Sequence, residues 1–308
     1  MLDTTKTNIT DADGITSSHA IHEKHVEDLL VDKQLYFDIF DLKNSMSYLL
    51  TVEPIKVLHP FFNDTAQWLV VGDYRGIEAN YLKTNGQNAH ATDISEVFLK
   101  EANQLGLIDN FSKQNVEHLS FENNSFDYTL CKEAYHHFPR AYLGLYEMLR
   151  VSRKAVFLLA EPLDISTKIP LLIAIKNVCD KINPKLINKI WKNRYSFETV
   201  GNYVFKVSER EFEKIAMGIA LPCMAIKSFQ IFLSHKPIDG ALDQPPNVKF
   251  KNRVARHVGW RNFLDRFGIL PANSLSCILF KTMPTDAERT ALETMGFKFQ
   301  FFPKNPYS

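Results

Sequence analysis

The chain has 308 residues, of which 45% are apolar and 23% are charged, and its formal net charge is +1 at pH 7. This length accommodates one large α/β domain with insertions, or one domain and a small cap. The near-neutral charge gives no electrostatic reason to expect a nucleic-acid partner. No apolar run approaches the length of a membrane-crossing helix, so we expect no membrane partner.

Residues 1–20 are polar and lack an apolar core segment, which predicts a disordered tail and not a signal peptide. The four cysteines stand singly, without the paired spacing of a zinc site or a short disulfide framework, and we expect a cytoplasmic location. Apolar residues then recur near the helical period and predict an N-terminal helical cap over residues 21–66, ahead of a core at 67–308.

The core opens with an apolar run, Trp68–Gly72, which predicts a buried parallel strand. Gly72-Asp-Tyr-Arg-Gly76 follows as a turn, and Ile77–Thr84 is predicted to be a helix. Such a turn points the first free amides of the helix at whatever lies above the strand, so we predict a ligand seat here.

A second predicted strand, Ala89–Thr92, ends at Asp93. A carboxylate about twenty residues after a glycine turn is placed to accept hydrogen bonds from both hydroxyls of a ribose. The ligand is therefore expected to contain a nucleoside, and a dinucleotide and S-adenosylmethionine both fit this spacing.

Strand and helix then alternate regularly, which implies right-handed crossovers and a parallel sheet covered on both faces. The predicted elements are a helix at Glu96–Gln104, strand three at Phe111–Val116, strand four at Phe126–Lys132, a helix at Ala141–Arg150 and strand five at Ala155–Ala160.

Three short motifs in this stretch carry a family resemblance. Ser125-Phe-Asp127 leads into strand four, His136-His137-Phe138 follows it, and Leu149-Arg-Val151 precedes a strand that ends in Glu161. In this order and spacing they resemble class I S-adenosylmethionine-dependent methyltransferases of the small-molecule type, over the middle third of the chain.

The resemblance implies a Rossmann-like, doubly wound, mostly parallel seven-stranded sheet with N-terminal helices and a helical lid. It also implies a cofactor site for S-adenosyl-L-methionine, built from Gly72, Asp73, Gly76, Asp93, Ile94, Asn115, Val116 and Lys132. The chain departs from the family where Val70 replaces an acid and Tyr74 replaces a glycine, so the amino-acid end of the cofactor is expected to lie differently.

Three residues after strand four are candidates for chemistry. His136 and His137 lie where a residue faces both cofactor and acceptor, and the pKa of histidine suits removal of a proton from a hydroxyl. His137 is marginally preferred as the base, and Glu133 is a candidate to orient a histidine or bind an amine. A metal-dependent variant needs a cluster of acids near the late strands, which is lacking, so we predict no metal.

Two insertions, residues 163–206 and 234–273, interrupt the late part of the chain. The first follows strand five directly, where ligands bind in open sheets of this kind, and is the predicted substrate lid. The second is expected to reach the ligand side only by folding back. The candidate substrate-binding residues are Glu161, Arg194, Tyr195 and Tyr203.

The late core elements are a helix from Ser208 to about Ala220, opened by the capping box Ser208-Glu-Arg-Glu211, and strand six at Met224–Leu233. Strand seven at Ser276–Lys281, a helix at Asp286–Met295 and a last strand at Phe297–Phe302 follow. In the resembled family strand seven is inserted antiparallel beside strand six, which the pattern alone does not give.

Together these features predict a methyltransferase that acts on an oxygen of a small metabolite or glycan precursor. Nitrogen or carbon acceptors stay open, as do a non-catalytic relative that binds cofactor or a partner, and a homodimer. A dinucleotide-dependent oxidoreductase is disfavoured because Gly72-x-x-x-Gly76 lacks the three-glycine spacing that a pyrophosphate needs.

Overall fold

The structure is a computed structural model that describes residues 52–165, 168–183, 185, 196–197, 203–231, 248–267 and 269–304. Residues 1–51, which hold the predicted tail and most of the predicted N-terminal cap, lie outside the described residues. The described part begins with a 3₁₀ helix at Glu53–Phe61, which buries Ile55, Leu58 and Phe61 beneath the sheet.

Eight strands form one sheet with the order β3-β2-β1-β4-β5-β7-β6-β8. Their bounds are β1 Gln67–Val71, β2 Asn88–Asp93, β3 Asn110–Lys113, β4 Phe126–Lys132, β5 Ser152–Pro162, β6 Cys223–Phe229, β7 Ser274–Phe280 and β8 Lys298–Phe301. β1 to β5 pair in parallel, whereas β7 is antiparallel to both β5 and β6.

The predicted doubly wound, mostly parallel sheet is confirmed, and so is the antiparallel seventh strand. The predicted count of seven strands is one short, because β8 pairs with β6 and joins the same sheet. β3 ends at Lys113 and not at Val116, because its partner β2 ends at Asp93 and the chain then turns, with His118 N–H donating to Asn115 O.

Seven α-helices are defined within the described residues. They are α1 Ile77–Thr84, α2 Val97–Gln104, α3 Ala141–Val151, α4 Pro170–Ile182, α5 Glu209–Gly218, α6 Val248–Arg266 and α7 Asp286–Thr294. The predicted capping box at Ser208 is confirmed, because its hydroxyl accepts from Glu211 N–H while the Glu211 carboxylate accepts from Ser208 N–H.

The core occupies both faces of the sheet, as β1 shows. Trp68 and Val70 pack in one apolar cluster while Leu69 and Val71 pack in the other, so alternate side chains enter opposite layers. This double burial explains why the strand is a continuous apolar run without polar alternation.

Both insertions leave the sheet at the same edge. Pro162 at the end of β5 is paired with Ser274 at the start of β7, and Ser274 is also paired with Phe229 at the end of β6. The carboxyl ends of β5 and β6 therefore lie on either side of the start of β7. The expectation that the second insertion must fold back is wrong, because β6 runs in the same direction as β5.

Candidate functional site

The turns that follow β1 and β4 pack tightly against each other at the carboxyl edge of the sheet. Gly72 has a φ of +71°, and a Cβ built on it would lie 2.5 Å from the Cβ of Ala134. Only glycine combines this left-handed backbone with so close an approach. Gly72 therefore sets the distance between the predicted cofactor turn and the turn that carries the two histidines.

Asp73 supports helix α1 from below. Its carboxylate accepts hydrogen bonds from Glu78 N–H at 3.2 Å and Ala79 N–H at 2.9 Å, and the side chain is buried. Burial and the neighbouring Glu78 carboxylate raise the pKa of Asp73 well above its usual range. The amides of Glu78 and Ala79, which we expected to be free for a ligand, are therefore capped by Asp73. The side chain of Asp73, a predicted cofactor residue, stabilises the start of α1.

Gly76, another predicted cofactor residue, packs against the apolar core. It begins α1 with a φ of +74°, but a Cβ on it would meet Ile108 at 3.1 Å and Ala102 at 3.3 Å. These side chains belong to the apolar core beside β1. Gly76 is thus required for core packing, and its missing side chain does not point at a ligand.

Tyr74, which stands where the resembled family has a glycine, packs its ring edge-on against Phe98 with a centroid distance of 4.9 Å. Phe98 belongs to α2 and is fully buried. The tyrosine therefore ties the turn after β1 to the helix after β2. Val70, in the place of the family acid, is a core residue of β1.

Asp93, at the end of β2, has the position that the sequence predicted. Its Oδ1 accepts from Ser95 N–H at 3.0 Å, and burial raises the pKa of Asp93 to about 6 despite that bond and one from the Ile94 amide. Ser95 is 1% exposed, and its Oγ has no hydrogen-bond partner within the described part of the chain.

The polar groups of Asp93 and Ser95 can be compared with those of a nucleoside cofactor. A buried carboxylate and a buried hydroxyl with unused capacity are costly unless a ligand satisfies them. A ribose offers two hydroxyl donors and acceptors of the required kind. The residues present therefore fit the ribose of S-adenosylmethionine.

Asn115 and Val116 follow β3 at the same edge. The Asn115 Oδ1 already accepts from Glu117 N–H at 2.9 Å, and Val116 is buried against the α3 side of the sheet. A carbonyl oxygen has a second lone pair, so Asn115 keeps the capacity that we predicted for an adenine amine.

Lys132 ends β4 and lies between two carboxylates. Its Nζ is 3.4 Å from Glu78 Oε1 and 2.8 Å from Glu133 Oε2, and its side chain is 3% exposed. Burial lowers the pKa of Lys132, but Glu78 and Glu133 outweigh this effect and raise it above its usual value. Lys132 is thus a charged, paired group, and its predicted contact with cofactor would have to compete with these two partners.

Glu133 has a φ of +49°, an uncommon conformation for a residue with a side chain. Its amide donates to Leu159 O, and its side chain is 45% exposed. Non-glycine residues held in this region cluster at functional sites. Of the three charged groups in this network, Glu133 offers the most open surface.

Glu161 organises the turn that carries the histidines. Its Oε1 accepts from the amides of Ala134 and Tyr135, and its Oε2 accepts from the amide of His136 and contacts His136 Nδ1 at 2.7 Å. The Glu161 residue is 0% exposed. Glu161 therefore orients His136 through its ring and its amide. This buried position favours a positioning role over the direct substrate contact that we predicted.

The two histidine rings lie against each other, with centroids 4.0 Å apart. The His136 side chain is 13% exposed, and its backbone carbonyl accepts from Phe205 N–H. The chain that returns from the first insertion therefore covers this turn. Tyr203 lies on that returning segment, is 54% exposed and packs edge-on against Phe197.

Arg194 and Tyr195, the other predicted substrate residues, lie outside the described residues. The structural roles of Glu78 and Ser95 were missed, although both follow the predicted turns directly. Within the described residues no group of three His, Cys, Asp or Glu side chains is arranged to hold a metal ion. No described helix is long and apolar enough to cross a membrane.

Comparisons with known proteins give a family match within the core of the chain. The family model described as a methyltransferase domain matches residues 69–160. No curated protein matches the chain significantly.

Three solved structures illustrate the similarity in fold. A chain from the complex between the Haloferax volcanii Trm112 methyltransferase activator and a candidate methyltransferase is 12% identical, with a TM-score of 0.50, over 82% of this chain and 96% of that one. The YcgJ protein from Bacillus subtilis is 18% identical, with a TM-score of 0.47, over 75% and 97%. A SAM-dependent methyltransferase from Archaeoglobus fulgidus is 15% identical, with a TM-score of 0.47, over 76% and 93%.

The matched segment runs from β1 to β5 and includes the glycine turn, Asp93 and both histidines. Residues 69–160 therefore match a methyltransferase domain, and this match together with the fold supports a class I S-adenosylmethionine-dependent methyltransferase. Its cofactor is S-adenosylmethionine.

Proposed function

We propose that the enzyme transfers the methyl group of S-adenosylmethionine to an oxygen atom of a small molecule, with His136 as the general base. The observation that carries the proposal is the contact between Glu161 Oε2 and His136 Nδ1. A carboxylate on Nδ1 holds the Nδ1–H tautomer of a neutral imidazole, which leaves Nε2 able to take a proton. A hydroxyl acceptor needs such a base, whereas an amine that arrives neutral does not.

When bound, the cofactor supplies an electrophilic methyl group for an in-line displacement. Most of the catalysis then depends on how the protein holds the acceptor oxygen behind the methyl carbon. His136 is held rigidly for this task, because Glu161 binds both its ring and its backbone amide. Glu161 is a positioning residue in this proposal.

The proposal reverses the marginal preference for His137. The His137 ring lies against the His136 ring at a tilt of 43°, but the described hydrogen bond to the buried carboxylate belongs to His136. The sequence could not distinguish the two rings, because His136 and His137 are adjacent in the 3₁₀ turn Tyr135–His137 and only the distant Glu161 separates their roles.

The cofactor is proposed to lie along the edge from Asp93 to the turn after β4. Asp93 and Ser95 would bind the ribose, Asn115, Val116 and Ile94 would surround the adenine, and Glu133 would face the amino-acid end. An exposed carboxylate at Glu133 suits the ammonium group of that end and replaces the acid missing at Val70.

The acceptor is proposed to bind under the first insertion. The returning segment at Tyr203–Phe205 lies directly over His136, because Phe205 N–H donates to His136 O. Aromatic side chains here, with Arg194 and Tyr195 from the same insertion, suit a small molecule with an apolar or anionic part.

The test is a methyl-transfer screen of a metabolite extract with isotopically labelled cofactor, followed by NMR of the labelled product. A methoxyl carbon is the expected result, and a methyl carbon bonded to nitrogen or carbon would contradict an oxygen acceptor. Glu161→Gln should cause both lower turnover and lower stability, since an amide cannot accept four donors.

The base is tested with His136→Gln and the matched control His137→Gln. We expect His136→Gln to reduce kcat by about 10²- to 10⁴-fold and to leave cofactor affinity within a few-fold. We expect the control to retain most activity. Equal losses in the two variants, or full activity without His136, would show that His136 is not the base.

A further inference from the structure

Helix α6 carries an aromatic strip on its solvent side. Trp260, Phe263 and Phe267 are 61%, 51% and 63% exposed, and they follow one another at helical spacing. Trp260 stacks on Phe263 with centroids 5.6 Å apart, and Phe263 contacts Phe267 at 4.9 Å. Three adjacent exposed aromatic rings are unusual on a globular surface and mark an interaction site.

The opposite side of α6 faces the protein. Val254 is buried, and Arg261 Nε donates to Gln230 Oε1 at 2.7 Å, while Gln230 Nε2 donates to Pro271 O. These contacts attach the helix to the end of β6. The outward orientation of the aromatic strip is therefore fixed by how the other face is held.

The helix is also strongly basic. Counted along the sequence, residues 248–267 contain six Lys and Arg residues and one acid, Asp265, in a chain whose formal net charge is only +1. Arg256 lies one helical turn before Trp260 on the same exposed side, and Arg266 is also exposed. Exposed tryptophan and phenylalanine rings beside exposed arginines suit the headgroup region of an anionic membrane, where aromatic rings and positive charges are both favoured.

A second apolar strip lies on α4. Leu171, Ile175, Val178 and Ile182 share one face by their spacing and are 66%, 46%, 55% and 73% exposed. α4 follows the end of β5 and α6 follows the end of β6, so both helices belong to the edge of the sheet that holds Asp93 and His136.

We propose that α6 docks the enzyme on anionic lipid surfaces, with its aromatic strip at the headgroup level and its arginines on lipid phosphates. This proposal departs from our expectation of no membrane partner, which rested only on the lack of a membrane-crossing run. It does not depend on which acceptor the enzyme uses. Docking through α6 turns the carboxyl edge of the sheet, and with it the active site, toward the membrane. Tryptophan at this depth is favoured because its ring is amphipathic.

Pairing of two copies through this face is less favourable. A twofold interface would bring the basic helix of one copy against the same basic helix of the other, and like charges at close range repel. An anionic surface instead complements the charge.

The test is co-sedimentation of the full chain with vesicles of equimolar phosphatidylcholine and phosphatidylglycerol, and with vesicles of phosphatidylcholine alone. We expect binding to the anionic vesicles that falls as salt is raised, and little binding to the neutral ones. The double variant Trp260→Ser/Phe263→Ser should weaken that binding by about tenfold or more.

Phe301→Ser is the matched control, since Phe301 is 49% exposed but pairs with Cys223 at the opposite edge of the sheet. It should bind vesicles as the wild type does. The proposal is overturned if the wild type does not sediment with anionic vesicles, if the α6 double variant binds equally well, or if the double variant instead abolishes a dimer seen in ultracentrifugation. Binding is measured without turnover, so its failure would leave the proposed reaction untouched.

Discussion

Asp93 is a buried carboxylate whose hydrogen bonds the protein alone leaves incomplete. Burial raises its pKa to about 6, against an ordinary value of 3.8. An acid with a raised pKa binds its proton more tightly in the folded state, so its ionisation opposes folding once the pH rises above the unfolded pKa. The ligand-free protein is therefore destabilised at this position in favour of cofactor binding.

We expect Asp93→Asn to stabilise the ligand-free protein at pH 8. Asparagine keeps an oxygen for Ser95 N–H but carries no charge, so the gain should be on the order of 1 to 3 kcal/mol above pH 6 and should shrink toward pH 4. Urea unfolding at several pH values measures it.

Asp127→Asn is the control of opposite sign. Asp127 is buried, yet Gln67 N–H, Arg153 and Lys154 outweigh burial and lower its pKa. Its ionised form supports the fold, so the asparagine variant should be less stable at pH 8. A destabilised Asp93 variant, or a gain that is independent of pH, would show that Asp93 is already satisfied within the protein.

Individual site residues could be predicted from the sequence where the signal is local. Asp93 and the two histidines were predicted as site residues from local signals, because Asp93 is the last residue of β2 and the histidines lie in the turn after β4. The role of Glu161 was missed because three amides from the turn after β4 converge on it, and a contact between residues 25 to 27 positions apart has no local pattern.

Among the elements, the turn after β1 has the tightest packing constraint. Gly72 and Gly86 have similar backbones, with φ values of +71° and +74°, but a Cβ on Gly86 meets nothing within 4 Å. Gly72→Ala should therefore cost more stability than Gly86→Ala, because both pay about 1 to 2 kcal/mol for the left-handed backbone and only Gly72 adds a clash with Ala134.

Thermal melting of both variants, together with cofactor titration, measures the difference. We expect Gly72→Ala to weaken cofactor binding as well, since the two turns at the site must move apart. Equal melting temperatures for the two variants would contradict the close approach of Gly72 to Ala134.

Element positions were predicted where periodicity and caps act together. The Ser208 capping box placed α5, and Thr285 with Glu288 forms a second box at α7 that the same pattern would have found. β3 was drawn too long because Phe111 to Val116 has little apolar patterning, and its pairing with β2 ends at Asp93 and Lys113.

On the scale of the whole molecule, the parallel half of the sheet followed from alternating strands and helices. The order of the late strands did not, because an antiparallel β7 between β5 and β6 depends on long-range pairing that no local signal encodes. That pairing places the starts of both insertions at the carboxyl edge of the sheet, whereas the sequence predicted this only for the first insertion.

The first insertion is predicted to serve acceptor binding and not cofactor binding. Replacing residues 170–195 with a short glycine-serine linker should leave cofactor affinity within a few-fold and abolish methyl transfer, because Asp93 ends β2 and Ser95 lies in the loop after it, outside this segment. Loss of cofactor binding in a folded deletion would make the segment part of the cofactor site. Turnover retained on the same acceptor would exclude it as the lid.

The most direct test of the cofactor site is calorimetric titration of the wild type and Asp93→Asn with S-adenosylmethionine, S-adenosylhomocysteine and NADH. The wild type should bind both sulfur nucleosides and show no binding of NADH. The folded variant should bind S-adenosylmethionine about 10- to 100-fold more weakly, the loss expected for charge-assisted hydrogen bonds to a ribose. Equal affinity in the variant, or NADH binding at the site, would contradict the assignment of this edge of the sheet.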